Sequence, residues 1–135
     1  MLQQRKKDYL IRLLEELMKS IHKLVDKREK LSPAEREGIL NDAFTFFVTN
    51  FEVTESDTID DLSEKIPDVE LLEQYARLLM IRSDESDTLN TPDLKRALQI
   101  VEYLEAADKT YSWDKVVLRE DILHRLDSSN QVNSI

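Results

Sequence analysis

The sequence predicts an all-α fold, a single-domain bundle of five or six helices, and three observations carry that expectation. Gly38 is the only glycine in 135 residues, the prolines are Pro33, Pro67 and Pro92 alone, and the intervals between them are rich in Leu, Glu, Lys and Arg. Glycine supplies the positive backbone angles that tight hairpins need, and the residues filling the intervals are strong helix formers. With 41% hydrophobic residues, a chain of 135 residues is long enough to bury a core.

The first helix is expected from about Gln4 to Arg28, because Leu10, Leu14, Leu17, Ile21 and Leu24 recur at helical spacing. Ile11, Leu13, Met18 and Val25 widen that stripe to nearly half the circumference, so the helix is expected to pack against two neighbours rather than form a plain zipper. On the opposite face Arg5, Arg12, Lys19, Lys23 and Lys30 align. This basic stripe suits an acidic partner. It equally suits a solvated face, since Asp8 with Arg12, Glu15 with Lys19 and Asp26 with Lys30 are pairs one turn apart, each worth about 0.2–0.5 kcal/mol.

Ser32-Pro33-Ala34-Glu35 opens the second helix, because a serine cap, a proline at the first helical position and a glutamate three after the cap satisfy free backbone donors. It is expected to run to Phe51 and to bury Leu40, Ala43, Phe44, Phe47 and Phe51, with Gly38 on the side opposite them. There the glycine is either tolerated at a solvated position or lets another helix approach. Between Glu52 and Glu73 stand nine acidic residues and one basic residue, Lys65. The expectation is a solvated acidic connector with a short helix near Thr58–Lys65. Asp57, Asp60 and Asp61 lack the alternating ligands and turn glycine of a calcium loop.

Pro67 is expected to restart a helix to about Arg82, burying Leu72, Tyr75, Ala76 and Leu79. Residues 83–91 read as a polar loop closing on a Thr91 cap. The next helix, to about Asp108, buries Leu94, Ala97, Leu98, Val101 and Leu104. A last helix follows a Ser112 cap, buries Val116, Ile122, Leu123 and Leu126, and ends near Leu126, leaving a polar tail.

Charge and composition narrow the function. The net charge is −9, yet residues 1–36 carry ten Lys/Arg against six Asp/Glu while the remainder is strongly acidic. An acidic body repels phosphate, so nucleic acid is not an expected partner. No apolar run has the length of a membrane span and no signal-peptide pattern opens the chain, so no membrane association and a cytoplasmic location are expected. Without cysteine there is no disulfide or thiolate chemistry. One glycine cannot build a phosphate-cradling loop or a dinucleotide fingerprint. His22 and His124 lie far apart, each without a second histidine at zinc-helix spacing, and Asp121-x-x-His124 is the nearest approach to a carboxylate–histidine metal pair. No cofactor or metal is expected, and no catalytic residue is assigned.

The segment Asp8-Tyr9-Leu10-Ile11-Arg12-Leu13-Leu14-Glu15-Glu16-Leu17 resembles the opening of a family of short bacterial all-helical proteins of unassigned activity, in which such a helix precedes a tetratricopeptide-like tail. Leu72, Tyr75, Ala76 and Leu79 are similar in spacing to the first helix of a tetratricopeptide repeat, and Ala97, Val101 and Leu104 to its second. Leu72 and Val101 stand where that repeat has aromatic residues, and Lys109 where it closes on proline. The resemblance implies protein interaction rather than catalysis.

The domain expectation is therefore one helical domain over 1–127: a basic N-terminal helix (1–31), a second helix with its acidic connector (32–66) and tetratricopeptide-like helices (67–127), then a disordered tail (128–135). The function expected is non-catalytic binding of a peptide or helix, with Tyr75, Tyr103 and Trp113 as contacts on the C-terminal helices. Arg12, Lys19 and Lys23 form a second surface. Trp113 next to Tyr111 has a competing reading, a staple fixing the turn before the last helix. Two alternatives are a homodimer pairing through the first helix, and a small-molecule or metal-dependent enzyme using the buried side of Asp121 and His124 with carboxylates from the acidic stretch.

Overall fold

The computed structural model describes residues 2–86, 91–107 and 113–133, with side chains for 8–86, 91–107 and 113–127. Six α-helices make up nearly all of it: α1 (Leu2–Asp26), α2 (Pro33–Phe51), α3 (Ile59–Lys65), α4 (Val69–Glu85), α5 (Thr91–Ala107) and α6 (Trp113–Asn133). A single 3-10 turn at Arg28–Lys30 lies between α1 and α2. No strand occurs among the described residues, and the fold is all-α as expected.

Local chemistry explains most boundaries. At the start of α2 the Glu35 N–H donates to Ser32 Oγ (3.1 Å) while the Ser32 N–H donates to Glu35 Oε1 (3.3 Å), the reciprocal cap its sequence spells. Thr58 and Asp61 do the same for α3 (3.0 and 3.1 Å). At α4 the cap is Asp68, which accepts from the Leu71 N–H (3.0 Å), so the helix starts two residues after Pro67 rather than at it. α2 ends without glycine. Glu52 takes the left-handed conformation, φ 55°, that a glycine ordinarily supplies after a helix, and its carbonyl accepts from Lys65 Nζ (3.1 Å). α6 runs on to Asn133, past the expected end near Leu126, because extending an existing helix costs far less than nucleating one. The expected loop residues Asp87 and Asn90, and Asp108, Lys109, Tyr111 and the Ser112 cap, lie outside the described residues.

The chain divides into two compact units, residues 1–46 and 47–135. In the first, α1 buries Leu14, Leu17, Ile21 and Leu24, and α2 buries Leu40 and Ala43. Arg36 donates to the Leu31 carbonyl (2.8 Å) and so braces the turn. The second unit holds the larger core. Phe47, Leu62, Ile66, Leu72, Ala76, Leu78 and Leu79 are buried there with Leu94, Ala97, Ile100, Val101 and Leu104 of α5 and Leu118 and Ile122 of α6. Ion pairs mark the directions of α4, α5 and α6: Arg82 late in α4 meets Asp93 early in α5, and Glu105 late in α5 meets Arg119 early in α6. α5 is thus antiparallel to both α4 and α6, and α4 and α6 run the same way, joined at their far ends by Arg125 and Asp84 (2.7 and 2.9 Å).

Gly38 is exposed, and a Cβ there would meet nothing within 4 Å. That open space matches a glycine tolerated at a solvated position.

Candidate partner-binding surface

α1 is the longest helix of the chain. Its buried stripe does not exhaust its apolar residues: Ile11 is 44% exposed, Met18 37% and Val25 59%. These three are seven residues apart and so fall in one line, adjacent to the buried Leu14 and Ile21. Together they occupy the a (Ile11, Met18, Val25) and d (Leu14, Ile21) positions of a heptad, with d covered and a open. Within this unit the expected second neighbour along that edge is not present.

Beyond the edge lies a charged strip. Asp8, Glu15 and His22 border it, and Arg12, Lys19 and Lys23 follow farther round, all exposed. His22 Nδ1 is 3.6 Å from Asp26 Oδ2, with both side chains about two-thirds exposed, so water screens the pair and its stabilisation is small. On the other side of α1, a depression of about 260 Å³ has an apolar floor of Leu13, Leu17, Ala43 and Phe46 with Glu16 and Asp42 at its rim. A wider one, about 600 Å³, opens at the turn between Val25 and Arg36 and is lined almost wholly by charged side chains.

The three aromatic candidates of the C-terminal helices do not share a surface. Tyr75 is 4% exposed, and its ring packs 5.0 Å from that of Phe47. It is a core residue rather than a partner contact, and burial pushes its hydroxyl pKa up. Tyr103, 37% exposed, lies two turns beyond Arg96 on the strip of α5 that faces the connector, for Arg96 donates to the carbonyls of Glu55 (2.6 Å) and Thr54 (2.8 Å). Glu105, about 200° round the helix from Tyr103, reaches α6 through Arg119 (3.1 Å). Tyr103 therefore points away from α6. Trp113 is 66% exposed at the start of α6, with the exposed Val117 one turn on. The turn that the staple would fix, residues 108–112, lies outside the described residues.

The acidic connector is tied down by cations that sequence reasoning did not assign. Lys65 donates to Asp57 Oδ1 (2.7 Å) and the Thr54 N–H to Asp57 Oδ2 (2.8 Å). Burial opposes ionisation of Asp57, but the Lys65 ammonium and the Thr54 donors outweigh it and hold the carboxyl below its ordinary pKa. Arg82 lies 3.5 Å from Glu55 in addition to its pair with Asp93. Asp57 and Asp93 are thus structural carboxylates. The one available signal was Lys65, the sole cation in the stretch; nothing local marks Asp93, whose partner is eleven residues away.

Glu73 on α4 has its carboxyl pKa raised by burial, with Arg77 and Lys115 opposing the shift. Asp121 and His124, the pair on which the enzyme alternative rests, are both exposed rather than on the buried side of α6. Among the described residues no group of three or more His, Asp or Glu is placed to hold a metal ion, and no helix is long and apolar enough to cross a membrane. Comparison with known protein families, curated proteins and solved structures gives no match.

Proposed function

We propose that this chain is a non-catalytic protein-interaction module whose partner docks along the exposed edge of α1. The observation that supports this reading is the line of Ile11, Met18 and Val25, three large apolar side chains held in water at heptad spacing. Scattered surface hydrophobics need no explanation, whereas an aligned row on a long helix is what a second helix covers. Burying what remains exposed of such side chains is worth about 1 kcal/mol each. The exposed cations Arg12, Lys19 and Lys23, farther round the helix, favour an acidic partner on approach. Trp113 with Val117 supports a second, separate docking edge on α6, since exposed tryptophan is the residue type most enriched among interface anchors.

The test is affinity capture with the wild-type chain and with Met18→Glu as bait. A discrete protein, an untagged copy of this chain included, is retained by the wild type and lost with the variant. Equal recovery by both baits would remove α1 from the reading.

A further inference from the structure

We infer that the groove between α1 and α2, on the other side of α1 from its exposed edge, takes a basic amphipathic helix from a partner. It lies wholly within the first unit. Leu13, Glu16, Leu17 and Ser20 form its α1 wall. Ile39, Asp42, Ala43 and Phe46 form its α2 wall. Both sets follow the spacing i, i+3, i+4, i+7, so each wall is one continuous face of its helix about two turns long. Leu13, Ile39 and Phe46 are only half-buried, and Ser20 turns its hydroxyl back onto the Glu16 carbonyl (3.2 Å). The floor therefore calls for apolar contact. Tyr9, 60% exposed and one turn before Leu13, extends the same face of α1.

Size and charge name the occupant. A volume of about 260 Å³ falls below the roughly 300–1,000 Å³ of small-molecule sites, and suits side chains carried in by a partner. With helices as both walls and no strand edge among the described residues to extend, the groove has the form that receives a helix through anchors three and four residues apart. The two charged residues that line it are both acidic, Glu16 on one wall and Asp42 on the other. Arg12, Lys19 and Lys23 stand farther round α1, and none of them lines the groove. The α2 flank stays acidic toward its start, because Glu35 falls in line with Asp42 seven residues earlier. Arg36 is the one Lys or Arg of α2, and its Nη1 donates to the Leu31 carbonyl. Complementarity thus places the occupant's lysines or arginines along α2.

The experiment is fluorescence anisotropy of two labelled synthetic helices titrated with the full chain. Both carry a leucine stripe at spacings of three and four, flanked by lysine in one and by glutamate in the other. The lysine helix should bind one-to-one and at least about tenfold more tightly than the glutamate helix. Asp42→Lys should weaken it at least about threefold, while Glu102→Lys, the same charge change at an exposed position of α5, leaves it unchanged. Leu13→Glu should abolish binding, with circular dichroism confirming that the helices remain. Met18→Glu, on the opposite edge of α1, should have no effect, so this result and the affinity capture stand or fall separately. No binding of the lysine helix up to about 1 mM, equal affinity for the two helices, or equal weakening by Asp42→Lys and Glu102→Lys would overturn the inference. Binding lost with Met18→Glu would overturn it too, by moving the helix to the other edge.

Discussion

Arg82 and Asp93 meet at two points, Nε to Oδ2 at 2.6 Å and Nη2 to Oδ1 at 2.8 Å, and so fasten the end of α4 to the first turn of α5. The Asp93 side chain is 8% exposed and that of Arg82 28%. Hydrogen bonding to Asp93 raises the Arg82 pKa against the burial that would lower it. Asp93→Ala leaves a largely buried guanidinium with one of its anions gone, and should cost about 2–4 kcal/mol in urea unfolding. Replacing both residues by apolar ones, Arg82→Met with Asp93→Leu, should recover much of that loss, because neither charge is then stranded.

Glu73 should make the fold less stable as the solution turns from acid to neutral. Its raised pKa means that the folded state holds this proton more tightly than the unfolded chain does, so stability falls as pH rises from the ordinary carboxylate range through the raised value. Glu73→Gln should be more stable than the wild type at pH 7, with the difference shrinking toward pH 4. Thermal melts at both pH values give the comparison; a less stable variant at pH 7 would mean that Arg77 and Lys115 outweigh the burial.

Tyr75 and Tyr103 were expected to serve together, and their environments now assign them different roles. Tyr75→Ala should cost about 3–5 kcal/mol, the range for emptying an aromatic site in a core. Tyr103→Ala should change stability by less than about 0.5 kcal/mol. Denaturant midpoints of the two variants separate these outcomes directly.

Gly38→Ala should stabilise the protein by about 0.5–1 kcal/mol, since alanine restricts the unfolded chain and suits a helix interior. Open space around the position removes any steric penalty. A fall in melting temperature would point to a contact at that face.

The helices were legible because their signals are local. Ser32 with Glu35 and the short helix ending at Lys65 were read correctly, since each depends on residues within one or two turns. Pro67 misled by one cap because Asp68 beside it is the better acceptor. The division at Phe46 was not legible: α2 is one unbroken helix in sequence, and contacts such as that of Phe47 with Tyr75 are with residues far along the chain. Pairings such as Arg96 with the carbonyls of Thr54 and Glu55 link residues about forty apart, and no spacing rule reaches that far. For the surface, exposure decided what periodicity could not, removing Tyr75 and singling out Ile11, Met18 and Val25 among the residues that widen the stripe of α1.

Site-directed photo-crosslinking from residue 18 tests the role of the α1 edge most directly. A photoreactive side chain there should give one discrete protein adduct, absent when Ile11 and Val25 are both changed to Glu, while the same group at the exposed Thr45 on α2 gives none. Equal labelling from both positions, or no protein adduct from residue 18, would contradict the account.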